Sequence, residues 1–351
     1  RAALHAVENY RNLRTGGVRI GRKGCRIHAG HQTLFVAKQN IPIKPIACID
    51  IRKGILHCVR LSLFPVCINR FAAAQLDFRN PEVIAHATEV IDRLVNEYGV
   101  GYIKMDYNIE PGIGTELNAD SAGDGLLGHN RAYLKWLDGS FVKYPDLVIE
   151  NCSSGGLRMD YAMLSRYSIQ STSDQEDYIR YATIAANSPM ALTPEQAAIW
   201  SYPLTEGDKE EVIFNMVNAI LLRIHQSGHL VNLSQERFDL VKEAISYYKT
   251  IRVDIKNAVP FWPLGLSKYR DPWVSMGLNA GKKDYVAVWR RNSQTAFATI
   301  PVEHRKGQDL KVVCGYPKAE PCNYKWNKEA GELTVEFPNP VSARLFCLEE
   351  V

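Results

Sequence analysis

The amino-acid sequence predicts an α/β fold, a (β/α)8 TIM-type barrel followed by a small antiparallel β domain, and three observations lead there. From Leu76 to about residue 256, short apolar runs alternate with amphipathic segments, the spacing of β–α units around a parallel sheet. Two of those runs end in the carboxylates Asp106 and Asp174, and chemistry gathered at the carboxyl ends of successive parallel strands is the habit of barrels. From about Asp284 the pattern changes to alternating strands with short turns, which indicates an antiparallel sheet.

The elements follow in order. Asn80 reads as a helix N-cap with Pro81 at the first helical position, and Val83, Ile84, Ile91, Leu94, Val95 and Tyr98 give one apolar face ending near Gly99. A strand is expected over Tyr102–Met105, then a Gly-rich loop, a helix from about Asn130 to Lys143 and a strand over Leu147–Glu150. A short helix near Met159–Arg166 precedes a strand over Ser168–Thr172, and a helix near Gln175–Ala186 follows. Lys209 to His225 reads as a long helix, Gly228–Leu233 as a strand and Gln235–Lys256 as another helix. Beyond these, strands are expected over Tyr285–Trp289, Ala296–Ile300, Leu310–Val313, Leu333–Phe337 and Ala343–Cys347.

Composition narrows the function. The chain has 351 residues, 46% hydrophobic and 23% charged, ordinary for a globular protein with a sizeable core. No apolar run approaches the roughly 20 residues that span a bilayer, and no basic-then-apolar leader opens the chain. The net charge of +4 is unevenly spread: residues 1–70 carry 13 Lys/Arg against Glu8 and Asp50, so the remainder is acidic on balance. That remainder suits neither nucleic acid nor an anionic membrane, and the basic charges of the start are scattered rather than clustered. The eight cysteines contain no C-x-x-C spacing, so a zinc site is not expected; they read as reduced thiols, favouring the cytoplasm.

Lys104 and Asp106 are two apart on a strand and share one face, where a cation lowers the pKa of a carboxylate and keeps it ionised. A structural salt bridge at a strand end reads equally well from those residues alone. Ser173-Asp174 follows the next carboxylate-bearing strand and is also the usual start of a helix, with either residue as cap. Glu150-Asn-Cys-Ser-Ser-Gly-Gly156 places two glycines after a strand, where a ligand can approach the backbone; it lacks the spacing of a phosphate loop. Arg158 and Asp160 read as braces of that loop, and His225 and His229, interrupted by Gly228, do not read as a metal pair. Trp136, Trp200, Trp262 and Trp273 suit either core packing or stacking on a sugar ring.

Taken together, Lys104-Met-Asp-Tyr-Asn108, Cys152-Ser-Ser-Gly-Gly-Leu-Arg-Met-Asp160 and Thr172-Ser-Asp174 resemble the signature segments of glycoside hydrolase family 36, the melibiase-type α-galactosidases. Ile199-Trp-Ser-Tyr-Pro203 and His225-Gln-Ser-Gly-His-Leu230 support the resemblance, which runs from near Leu76 to the β domain. It implies Asp106 as catalytic nucleophile, Asp174 as general acid/base, and Lys104, Asn108, Cys152 and Gly155 as galactose-pocket residues. It implies a retaining reaction on terminal α-galactosides of melibiose or raffinose type, with no cofactor or metal, and assembly as a homo-oligomer. The small oligosaccharide is the expected partner; nucleic acid and membrane are not. A related α-N-acetylgalactosaminidase or galactosyl transferase, and an inactive sugar-binding remnant, are the alternatives.

Against the family pattern, Met105 stands where many relatives have Trp, and the nucleophile strand is the fourth of the barrel. Residues 1–75 match none of the preceding three strands, so the segment reads as non-native or mis-assembled. The domains expected are therefore 1–75, unassigned; 76–280, a barrel incomplete at its N-terminal half; and 281–351, an antiparallel β-sandwich-like domain.

Overall fold

The computed structural model describes residues 32–33, 66–68, 74–108, 112, 114–320 and 322–351. The expectations for residues 1–75 lie otherwise outside them. The described residues fall into two compact units that divide between Ser168 and Ile169.

The first unit is built on two parallel strands, β4 (Tyr102–Tyr107) and β5 (Val148–Cys152). Ahead of them, β1 (Gln32–Thr33) pairs antiparallel with the end of β4, and β2 (Val66–Ile68) forms a ribbon with β3 (Ala74–Leu76). Helix α1 (Pro81–Asn96) begins where the sequence places it. The Asn80 side chain accepts from Glu82 N, and Pro81 occupies the first turn, where no N–H is needed. Strand β4 runs two residues further than expected, so Asp106 lies within it. Helix α2 (Asp124–Lys143) starts some six residues early and carries Gly125 and Gly128 in its first turns. A Cβ at Gly125 would meet the Thr115 carbonyl, and one at Gly128 the Arg79 side chain. These glycines permit close packing and do not break the helix. Phe78, Ile91, Leu94, Ile103, Trp136, Leu137 and Ile149 form the core between helices and strands, and the short helix α3 (Tyr161–Leu164) adds Met163.

In the second unit β6 (Ile169–Ser171), β7 (Ala197–Ser201) and β8 (Arg223–Gln226) are parallel neighbours in that order. Helices α4 (Tyr178–Asn187), α5 (Lys209–Ile220) and α6 (Gln235–Ile255) alternate with and follow them. The expected helix over Lys209–His225 is two elements: α5 ends at Ile220 and His225 belongs to β8. Buried Leu221 and Leu222 join them, so one apolar run conceals the junction. The stretch expected as a strand at Gly228–Leu233 holds a 3-10 turn at Leu230–Asn232.

The rest of the second unit is antiparallel. One five-stranded sheet runs β13 (Leu310–Tyr316), β16 (Val341–Glu350), β11 (Lys283–Arg291), β10 (Trp273–Asn279), β9 (Val259–Phe261). A three-stranded sheet runs β12 (Phe297–Pro301), β15 (Glu332–Glu336), β14 (Asn323–Asn327). Val286, Val288, Ile300, Leu333, Val335, Phe337, Phe346 and Leu348 are buried in one shared core. The architecture is that of a partial TIM-type parallel α/β fold followed by antiparallel β-sheets.

Candidate active site

Each of the two expected catalytic carboxylates sits at the carboxyl end of a parallel strand, one in each unit. In the first unit, the β4–β5 register sets Lys104 opposite Glu150 and Asp106 opposite Cys152. Lys104 Nζ lies 4.0 Å from Glu150 Oε1, and the Tyr102 hydroxyl donates to the other oxygen of the same carboxylate. Glu150 is 1% exposed, so this charge is held under the strand ends by a lysine and a tyrosine. The register brings Lys104 to Glu150, a partner that sequence alone does not identify.

Asp106 is buried, and its Oδ1 accepts no hydrogen bond among the described residues. Leaving a buried acceptor unpaired costs about 1–3 kcal/mol, and such groups collect where a ligand supplies the missing donor or where chemistry uses the lone pair. Cys152, its neighbour across the ladder, is buried.

Beyond β5 the chain turns through Ser153–Gly156. Ser154 has φ +42° and Gly155 φ +81°, left-handed conformations that Gly155 adopts without steric cost. The Asn108 side-chain oxygen accepts from the Ser154 N–H and lies 3.3 Å from Ser154 Oγ. Ser153 Oγ donates to the Tyr107 carbonyl. Arg158 stacks its guanidinium 3.6 Å from the Tyr107 ring centroid and donates from Nε to Tyr107 O at 3.2 Å, while Asp160 caps α3 by accepting from Ala162 N and Met163 N. Both therefore brace the loop locally. Lys104, Asp106, Asn108, Cys152 and Gly155 are thus gathered on one strand pair and the turn that follows it.

In the second unit, Thr172 turns its hydroxyl to Tyr181 OH at 2.9 Å and donates to Ala198 O at 2.8 Å, fixing the end of β6. The next residues brace one another: Gln175 N donates to Ser173 Oγ at 3.1 Å, and Asp177 N to Gln175 Oε1 at 3.0 Å. Helix α4 is then capped by Asp177, which accepts from Ile179 N and Arg180 N. Capping thus falls to Asp177, and Asp174 is an exposed carboxylate that the helix start does not use.

On the adjoining strands, Trp200 donates from Nε1 to Ser171 Oγ at 3.3 Å, stacks on Tyr202 at 6.0 Å between centroids and meets His225 edge-on at 5.2 Å. Of the four tryptophans considered, Trp136 packs in the first core, and Trp262 donates to Ala186 O at 2.7 Å. Trp273 joins the second core beside Phe337. Trp200 is the half-buried one at a parallel-strand end. The sequence gives no period for its strand, because Ala197 and Ala198 carry little β propensity.

The melibiase family model matches residues 68–255. The α-galactosidase Mel36A of Lactobacillus acidophilus is 25% identical over 185 residues, half of this chain and 25% of its own length. The α-galactosidase C of Emericella nidulans is 29% identical over 119 residues, 34% of this chain and 15% of that protein. In fold, the galactosidase domain of an α-galactosidase–sucrose kinase superposes with a TM-score of 0.68 at 18% identity, over 84% of this chain and 41% of that one. The family 36 α-galactosidase AgaA of Geobacillus stearothermophilus, solved in complex with raffinose, gives 0.66 at 15% identity over 81% and 40%. The chain therefore spans a quarter or less of these curated relatives and about two fifths of these solved chains.

Proposed function

The chain belongs to the melibiase family, the α-galactosidases of glycoside hydrolase family 36, and from that premise we propose that it is a retaining α-galactosidase. Asp106 attacks C1 of a terminal α-galactoside while Asp174 protonates the departing glycosidic oxygen. Asp174, now a carboxylate, takes a proton from water, which attacks C1 and breaks the ester to Asp106. Galactose leaves with its anomeric configuration retained. Such double displacement requires the two carboxyl groups to face one anomeric carbon at roughly 5–5.5 Å. Lys104, Asn108, Cys152 and Gly155 line the sugar pocket, and raffinose-type oligosaccharides are the substrate class.

One observation carries the reading: Asp106 is buried at a strand end with an oxygen that takes no hydrogen bond among the described residues. Most buried side-chain oxygens have a hydrogen-bond partner, and one left without suits a carboxylate whose lone pair meets a substrate. The exposed position of Asp174 and the separate cap at Asp177 support the second role.

The test is hydrolysis of a chromogenic α-galactoside by the folded chain, with Asp106→Asn and Asp174→Asn beside it. Both variants should lose about 10²–10⁴-fold or more in turnover. Azide should rescue an Asp174→Ala variant and give the α-galactosyl azide, because Asp106 still forms the ester. A folded chain with no turnover overturns the reading.

A sugar-binding protein without turnover is the second reading. It draws on β1, where Thr33 lies opposite Asp106 in antiparallel pairing, in place of the parallel neighbour that a TIM barrel supplies. Galactose binding by calorimetry without hydrolysis would favour it.

A further inference from the structure

The loops that leave β7 (202–208) and β8 (227–234) fasten onto each other at the carboxyl ends of the parallel strands. Backbone pairing continues past the strands, with Ser227 N donating to Ser201 O at 2.9 Å and His229 N to Pro203 O at 3.0 Å. Gly228 permits the approach: its φ is +80°, and a Cβ there would lie 2.6 Å from Pro203 O. Buried side chains hold the first loop by its backbone. Arg237 donates from Nη1 to Thr205 O at 2.9 Å and from Nη2 to Leu204 O. Glu211 accepts from Leu204 N at 3.2 Å, and Asn215 accepts from Tyr202 N at 3.1 Å.

On this frame the half-buried His229 ring meets Thr205, with Nδ1 2.8 Å from Oγ1, and Asn232 Nδ2 donates to the same hydroxyl at 3.5 Å. The hydroxyl thus accepts from Asn232 and gives its one proton to Nδ1, which leaves the ring hydrogen on Nε2. Nε2 has no hydrogen-bond partner among the described residues. His229 follows the last residue of β8, Gln226, by three positions, as Asp174 follows the last residue of β6, Ser171. Strand β7 lies between, so the two strand ends are two spacings apart, about 10 Å. Trp200 and Tyr202 stack on each other at the end of that middle strand.

We propose that His229 binds the departing sugar, its Nε2–H donating to a hydroxyl of the group released when the glycosidic bond breaks. The inference rests on the galactosidase reading above, in which Asp174 protonates the glycosidic oxygen. That oxygen belongs to the leaving group, so the hydroxyls of the same sugar lie beside Asp174, and two strand spacings bring them to the β8 loop. The Trp200–Tyr202 stack supplies aromatic surface between the two polar contacts, the usual composition of a ligand cleft. Leaving groups that carry hydroxyls are selected over alkyl ones, so a raffinose-type oligosaccharide gains a contact that a methyl galactoside lacks. Thr205 and Arg237 are positioning residues: the first orients the imidazole and the second fixes the loop that carries Thr205.

The experiment uses the full chain carrying Asp106→Asn, so that ligand is held without cleavage, and measures calorimetric affinities for raffinose and methyl α-galactoside. Raffinose should bind more tightly. His229→Phe, which keeps a ring but no N–H, should lower the raffinose-to-methyl affinity ratio about threefold to tenfold, the worth of one hydrogen bond. Thr205→Val should lower the ratio in the same direction, and Thr205→Ser, which keeps the hydroxyl, should hold it. Displacement of the loops as a whole would weaken both ligands alike, so the ratio isolates the leaving-group contact. With Asp106 intact, kcat/KM for raffinose relative to α-galactosyl fluoride, whose leaving group has no hydroxyl, should fall by the same factor in His229→Phe. Equal affinities for the two ligands before His229 is changed, or a ratio unmoved in both His229→Phe and Thr205→Val, overturns the inference. A ratio that falls as expected without turnover by the intact chain sinks the hydrolase reading and keeps the subsite, whereas a chain that binds neither ligand overturns both.

Discussion

Lys104 and Glu150 lie directly opposite each other on the parallel strands β4 and β5, ammonium and carboxylate 4.0 Å apart, with the carboxylate almost fully buried. A buried ion is costly unless its partner stays, so removing one member destabilises far more than removing both. Lys104→Met should cost about 2–3 kcal/mol, less than the full buried-pair penalty because the lysine is partly solvated. Lys104→Met combined with Glu150→Leu should recover most of that loss. Urea unfolding followed by Trp136 fluorescence, which reports on the first core, measures both.

The two units should respond to pH in opposite senses. In the first, burial presses the His129 pKa down to about 4, with Arg158 and Arg79 adding to it against Asp77. The unfolded chain, with an ordinary imidazole near 6.5, binds more protons over that window, so stability falls as pH drops from about 6.5 to 4. In the second, burial raises Glu211 to about 7 against hydrogen bonds from Leu204 N and Arg237. There the folded state holds the extra proton, so stability is greatest below about 4.5 and falls as pH rises to about 7. Hydrogen exchange, corrected for the intrinsic pH dependence, should show α2 losing protection on acidification while α5 gains it. His129→Asn and Glu211→Gln should flatten the respective slopes.

Asp177 caps α4, whereas the proposed reaction uses Asp174. Asp177 accepts two backbone N–H bonds at the start of α4 at 3.0 Å and 3.2 Å. Asp177→Ala should therefore cost about 1 kcal/mol of stability with a minor effect on turnover. Asp174→Ala should keep the α4 cap in place and abolish hydrolysis of substrates with poor leaving groups. Differential scanning calorimetry and the chromogenic assay on the same preparations give both readouts, and the reverse pattern would assign the cap to Asp174.

Much of this was legible in the sequence, and what was hidden has identifiable causes. The Asn80–Pro81 start of α1, the strand carrying Asp106 and the alternating strands after Asp284 are local signals, each set by a few neighbouring residues. Both strand-end carboxylates and the Ser153–Gly156 turn were visible for the same reason. The Lys104–Glu150 pairing was not, because register between parallel strands is decided by packing of whole β–α units. Strand β7 escaped because Ala197-Ala198 signals helix as readily as strand, and the α5–β8 junction escaped because Leu221-Leu222 carries no Gly or Pro. The sequence offers Ser173 or Asp174 as cap, and the structure gives the role to Asp177, because the helix starts one turn later than the local residues signal.

Glu210 of α5 and Arg344 of β16 tie the helical layer of the second unit to its antiparallel sheet. The guanidinium meets the carboxylate in a fork, Nη2 to Oε1 at 2.6 Å and Nη1 to Oε2 at 2.8 Å, and Asn339 adds a third contact at 3.3 Å. Both side chains are largely buried, so the pair survives on geometry and on complete pairing of the carboxylate. Arg344→Met strands the Glu210 charge and should cost about 3–5 kcal/mol. Arg344→Lys keeps the charge but offers a point cation in place of the fork, and should lose about half as much. Arg344→Met with Glu210→Met exchanges the pair for apolar packing and should return close to the parent stability. Guanidinium titrations of the three variants, monitored by far-ultraviolet circular dichroism, decide the matter: a double variant as unstable as Arg344→Met would mean that Arg344 stabilises the sheet through contacts other than Glu210, such as its bond to Ala343 O.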